Sequence, residues 1–126
     1  MIRGVTLDAG ALIALDRRDR RVIALVREVE AAEGRITVPA TALSQALRSP
    51  ARQARLMRLL RQPRTDTVVL DRADATAVGQ LLAASGTADI ADAHVVVCAR
   101  RAGTPVATSD TADLRYLDPG LALIAL

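Results

Sequence analysis

Two rhythms of apolar residues alternate along the chain. Short runs that suit strands are RGVTL (3–7), RITV (35–38), DTVVL (66–70), TPVAT (104–108) and LALIAL (121–126). Between them the apolar spacing is helical. Ala9–Leu15 reads as a short helix, and Arg20–Ala32 carries Val22, Ile23, Val26 and Val29 at helical intervals before Gly34 stops it. A helix over Pro39–Arg48 starts on proline. Ser49 is expected to cap the next helix, with Pro50 in its first turn and Arg52, Arg55, Arg58 and Arg61 set beside Leu56, Leu59 and Leu60. Asp71 opens a helix to about Ala84, ended by Gly86, and Ser109–Leu117 forms a last short one.

Ala91–Ala102 is ambiguous by pattern, because Val95, Val96 and Val97 favour a strand. Its length, its acidic start, and Arg100, Arg101 and Gly103 at its end decide for a helix, apolar all round and so buried on most sides. Strands separated by helices imply right-handed crossovers and a parallel sheet with helices on both faces. The chain of 126 residues is expected to form a single domain over 1–126.

Composition narrows the chemistry. All seventeen basic residues are arginine and the net charge is +3. Arginine's planar fork suits phosphate, although arginine in place of lysine also fits a GC-rich genome. Without lysine, neither a Walker-type phosphate loop nor a phospho-receiver can work in its usual form. A haloacid-type phosphatase is disfavoured as well, since the first strand ends on Asp8-Ala9-Gly10 and not on an Asp-x-Asp pair. One tyrosine and no tryptophan or phenylalanine leave no array of aromatics for stacking bases. The single histidine rules out multi-histidine metal sites, and the single cysteine, Cys98, cannot form a disulfide within the chain, which suits a reducing cytoplasm. No apolar stretch approaches the ~20 residues of a membrane span, and MIRGVTLDAG reads as a strand running to an acid, not as a signal peptide.

The candidate chemistry lies in carboxylates. Asp8 follows the first strand, Asp110 follows the fourth, and Asp92 begins the helix that leads into the fourth, with Asp89 about one turn earlier. Sites in open parallel sheets form beyond the carboxyl ends of strands where the strand order reverses. If strands one and four are neighbours, Asp8, Asp92 and Asp110 meet there. Clustered carboxylates repel, and a hard divalent ion relieves them; oxygen donors without histidine or cysteine point to Mg2+ or Mn2+. The plainer reading is that Asp8, Asp89 and Asp110 are helix caps, since each precedes a helix. Asp16, Asp19, Asp66, Asp71, Asp74 and Asp118 are read as ordinary surface acids near turns and helix starts. A metal pocket in an arginine-rich protein suits cleavage of a phosphodiester.

Three blocks together resemble a PIN domain, specifically a VapC-type toxin of a bacterial toxin–antitoxin pair. They are LDAGALIALD (7–16), TVPATALSQAL (37–47) and ADIADAHVVVCARRAGTPVATSD (88–110), the last being the most specific. The resemblance implies a PIN-like three-layer α/β/α sandwich with sheet order 3-2-1-4-5 and a Mg2+- or Mn2+-dependent endoribonuclease. It implies Asp8, Asp92 and Asp110 as metal-holding acids, Thr108 and Ser109 as residues that orient Asp110 or the attacking water, and Asp113 as a further acid. It also implies a cognate VapB-like antitoxin on a groove of the first helices, an RNA substrate such as tRNA or rRNA, and a homodimer.

The family's second acid falls on Gln45, which keeps the shape and one acceptor but not the charge. Asp89 is the candidate to replace that charge. Gly10 stands where many members carry a hydroxyl. Gln45 leaves two functional readings: an active nuclease in which it assists a water, or a weakened PIN domain that binds RNA or antitoxin without useful cleavage. Arg17, Arg18, Arg20 and Arg21 are expected near the Asp8 end as phosphate contacts, ahead of Arg52–Arg61. His94 is expected to pack with its nitrogens satisfied, and Tyr116 to pack at an edge with its hydroxyl in water.

Overall fold

A computed structural model describes residues 2–126. Five parallel strands form one sheet in the order β3-β2-β1-β4-β5, flanked by helices, as the resemblance implied. The strands are β1 Gly4–Leu7, β2 Arg35–Pro39, β3 Thr65–Val68, β4 Val106–Thr108 and β5 Leu123–Ala125. The helices are α1 Ala9–Asp16, α2 Arg20–Ala31, α3 Ala40–Ala46, α4 Ala54–Leu60, α5 Arg72–Ser85, α6 Ile90–Ala102 and α7 Thr111–Leu117.

The central strand β1 buries Val5, Thr6 and Leu7, and the core around it is aliphatic, with Leu12, Val22, Val29, Ile36, Val38, Leu56 and Leu114 all shielded from solvent. The valine triplet of α6 is helical and buried, along with Ala91, Ala93, His94, Cys98 and Ala99. Burial on nearly every side explains why its periodicity was uninformative. Gly86 and Gly103 end α5 and α6 with φ of 69° and 66°, the left-handed conformation that a terminal glycine adopts without strain. Gly34 acts differently. A Cβ there would lie 1.9 Å from the Arg3 carbonyl oxygen, so this glycine lets β2 approach β1's entry.

Some boundaries shift from the sequence expectation. The closing strand spans only Leu123–Ala125, and β4 begins at Val106. Val69 and Leu70, expected in β3, lie beyond it and are exposed. Ser49 does not cap a helix through its side chain. Residues Pro50–Arg52 form a single 3-10 turn, and α4 starts only at Ala54. The Gln53 amide organises this corner: its Oε1 accepts from the Arg48 and Ser49 amides at 2.7 and 2.9 Å, and its Nε2 donates to the Ala46 carbonyl at 2.9 Å. A side-chain amide that satisfies three backbone groups replaces the hydroxyl cap.

Candidate active site

The strand order reverses between β1 and β4, which pair directly with Thr6 opposite Val106 and Leu7 opposite Ala107. That register brings Asp8 alongside Thr108, and the Asp8 amide donates to the Ala107 carbonyl. Asp8 is also the N-cap of α1, its Oδ1 accepting from the Ala11 amide at 2.8 Å. Asp89 caps α6 through the Asp92 amide at 2.9 Å, and Asp110 caps α7 through the Asp113 amide at 3.3 Å. The Thr108 hydroxyl accepts from the Asp110 amide at 2.8 Å and fixes that turn. Capping and clustering are therefore both true of these acids. Each of these caps is accepted by Oδ1.

The electrostatics brings the acids together. The Asp92 carboxyl is pushed up to about 7, first by burial and then by the carboxylates of Asp89, Asp8, Asp113 and Asp110. Burial raises the Asp8 carboxyl as well; the Thr108 hydroxyl and the Ala11 amide pull it back, and Asp110 adds to the rise. The Asp113 carboxyl is raised by its contact with Asp110. Five carboxyl groups thus couple at one end of the sheet, and the leading charges acting on Asp92 are all negative. Among the described residues these carboxylate oxygens do not all lie within 4.8 Å of one another; drawing them onto a hard divalent ion such as Mg2+ or Mn2+ would relieve their repulsion. Ser109 leans over the same place: a Cβ on Gly10 would lie 2.6 Å from the Ser109 Oγ and 3.5 Å from the Asp8 Oδ1. Gly10 leaves room for that hydroxyl.

Gln45 is not joined to this group by any hydrogen bond among the described residues. It is exposed on α3 and lines a cleft with Ile13, Asp16, Arg17, Arg48 and Arg52. The arginines after α1 are not at the Asp8 end. Asp8 caps the helix start and Arg17 its finish, so eight helical residues, about 12 Å of rise, separate them. Arg21 is tied to Asp19 at 3.3 Å.

A second cluster escaped sequence reasoning. Asp74, read as a surface acid, is 2% exposed. Its carboxylate accepts from His94 Nε2 at 2.9 Å and pairs with the Arg101 guanidinium. His94 is fully buried, and its Nδ1 meets the Thr41 hydroxyl at 2.8 Å, so its ring nitrogens are satisfied as expected. The Arg101 guanidinium holds the Asp74 carboxyl below its ordinary range. Asp74, His94 and Cys98 place one ligand atom each within 4.8 Å of one another. Arg101 already supplies the positive charge there, and burial pushes the Cys98 thiol up to about 12. This is a structural link between α3, α5 and α6.

Tyr116 is 65% exposed, in line with a hydroxyl in water, and it lines a cleft of about 170 Å³ with Thr87, Ala88, Asp89, Asp92, Asp113 and Leu117, a position that was not expected. Its spacing of three from Asp113 was the available signal, placing both on one face of α7.

The family model for the PIN domain matches residues 5–118. The chain belongs to the PIN-domain family. Solved structures agree on the fold of this PIN domain. It is similar to a chain of FitAB bound to an IR36 DNA fragment, with 17% identity, a TM-score of 0.65, and 96% of this chain and 94% of that one covered. It is similar to a chain of VapBC2 from Rickettsia felis bound to a DNA fragment from its promoter, at 16% identity and TM-score 0.68, covering 97% and 98%. A chain of FitAcB from Neisseria gonorrhoeae gives 19% identity and 0.61, covering 95% and 96%. No curated protein matches the chain.

Proposed function

We propose that this PIN domain is a Mg2+- or Mn2+-dependent endoribonuclease, the toxin of a type II toxin–antitoxin pair, acting in the cytoplasm on structured RNA such as tRNA or rRNA. The observation that supports the reading is the state of Asp92, near where the strand order reverses: its carboxyl is pushed up to about 7 by burial and by the carboxylates of Asp89, Asp8, Asp113 and Asp110. Asp8, Asp92 and Asp110 would hold the ion, which when bound supplies positive charge against a phosphodiester and acidifies water. Thr108 fixes the Asp110 turn, and Ser109, over Gly10 and beside Asp8, orients the attacking water. Asp89 and Asp113 add negative charge from the flanks.

A partner surface supports the toxin part of the reading. Leu15, Ile23, Val26 and Leu59 of α1, α2 and α4 line a groove of about 280 Å³ with Arg27, Glu30, Arg55, Arg58 and Gln62, three cations against one acid. A VapB-like antitoxin segment with apolar and acidic side chains would suit it. The structural neighbours come from assemblies named FitAB and VapBC2, which agrees with such a pairing.

The test is cleavage of RNA by purified protein with Mg2+, with chelator, and with Asp92→Asn, alongside induced expression in a bacterium. Cleavage and growth arrest in the parent alone support the nuclease. A second reading, a PIN domain that binds RNA or antitoxin without cutting, rests on Gln45, which lacks the charge of a second acid and is not bonded to the others. It predicts RNA binding with no cleavage under any of these conditions.

A further inference from the structure

Tyr116 is the chain's single Tyr, with no Trp or Phe beside it in the sequence, and it stands open to solvent on the cleft that Asp92 shares with Asp89 and Asp113. Its neighbours on α7, Leu114 and Leu117, are buried, so the helix is anchored without the ring. The ring instead walls the small cleft that contains Asp89, Asp92 and Asp113. A wall of carboxylates repels phosphate and offers no face to a base. A neutral aromatic ring does offer one, and adds no charge to a site that already carries too much of one sign.

We infer that Tyr116 stacks on an unpaired nucleobase of the RNA, next to the bond to be cut, and that it sets binding rather than chemistry. The inference rests on the nuclease reading above. It adds a base-contacting residue to that site and assigns the cleft between α7 and the start of α6 to a single base exposed in an RNA loop. The hydroxyl is dispensable, because the stacking face is the ring.

The chain's single tyrosine makes the test specific. 3-Fluorotyrosine labelling places one fluorine at this position and nowhere else. With Ca2+ replacing Mg2+ so that RNA remains intact, a short single-stranded oligoribonucleotide is expected to shift the fluorine NMR line. An abasic oligomer of the same length and charge leaves it in place. In cleavage assays Tyr116→Leu is expected to raise KM roughly 5- to 150-fold, the range of one lost stacking contact, while kcat changes little and Tyr116→Phe stays near the parent. If the labelled RNA binds by anisotropy and is cut by the parent, yet the line does not move and Tyr116→Leu keeps the parental KM, the inference is wrong and the nuclease stands. A line that moves with protein concentration and not with RNA assigns the ring to a contact between copies and overturns the inference. Absence of both RNA binding and cleavage removes the nuclease reading and this inference together.

Discussion

Asp74, bonded to two side chains of α6, and Asp92, at the start of the same helix, have opposite fates. Asp74 is buried, bonded to His94 and Arg101, and held below its ordinary pKa. Asp92 is half-buried, surrounded by other carboxylates, and pushed up to about 7. The residue type is the same; what differs is whether the surroundings resolve the charge. Where a guanidinium resolves it, the acid is architecture. Where only like charges face it, the protein tolerates a conflict that a cation, a proton or a substrate must relieve.

The contrast breaks most sharply under substitution. Asp8→Asn or Asp92→Asn is expected to cut RNA cleavage by about 10²- to 10³-fold, the scale on which removing one preorganised charge acts in a hydrolytic site. Stability should change little or improve. Asp74→Ala should do the reverse: it strips His94 and Arg101 of their shared partner and is expected to cost about 3 kcal/mol, lowering Tm by roughly 10 °C, with cleavage per folded molecule retained. Thermal melts and single-turnover cleavage on the same samples separate the two outcomes. Equal loss of activity per folded molecule in all three variants would erase the distinction.

How visible these groups are in the sequence follows from how each is built. Asp8 and Asp110 are legible because strand ends are legible, and a five-strand parallel sheet brings such ends to one edge. The caps expected at Asp8, Asp89 and Asp110 are present. Asp74 was hidden because nothing local distinguishes it from Asp71, three residues earlier, which caps the helix and is exposed. Its burial depends on α6 presenting His94 and Arg101 to it across 20 and 27 residues of chain, a matter of helix–helix packing. The Arg17–Arg21 cluster was misplaced because its distance from Asp8 depends on whether α1 is continuous, and α1 runs unbroken to Asp16.

Acid and base sharpen the comparison. For Asp92 the folded pKa lies above the unfolded value of 3.8, so folding favours the protonated carboxyl. Its contribution to stability is fully present below about pH 4 and is lost as pH rises through about 7. Asp92→Asn should therefore stabilise the metal-free protein at pH 8 by roughly 1–2 kcal/mol, the full shift being discounted for partial exposure, and by almost nothing at pH 4. Asp74, with its lowered pKa, contributes in the opposite sense, its stability being present above about 4 and lost on acidification. Urea unfolding of Asp92→Asn should show a gain that grows between pH 4 and pH 8, and that of Asp74→Ala a loss that is flat over this range and shrinks only below about pH 4; a gain for Asp92→Asn that does not grow with pH would refute the assignment.

The smallest effect is expected at Gln45. If the pocket needed a carboxylate at this position, Gln45→Glu would restore a missing ligand and raise cleavage more than tenfold. The structure argues otherwise, because Asp89 and Asp113 already act on Asp92, while Gln45 faces a cleft with Arg17, Arg48 and Arg52. A glutamate there would pair with exposed arginines, an interaction worth only ~0–1 kcal/mol. Cleavage and Mn2+ affinity should thus stay within about threefold of the parent, a change of roughly 0.6 kcal/mol. Asp89→Asn, which removes a charge that does act on Asp92, should weaken Mn2+ binding about tenfold and lower the Asp92 pKa. Isothermal titration with Mn2+ ranks the two substitutions. The reverse ranking would move the pocket's missing negative charge from the start of α6 to α3, and with it the boundary between the unresolved acids and the rest of the molecule.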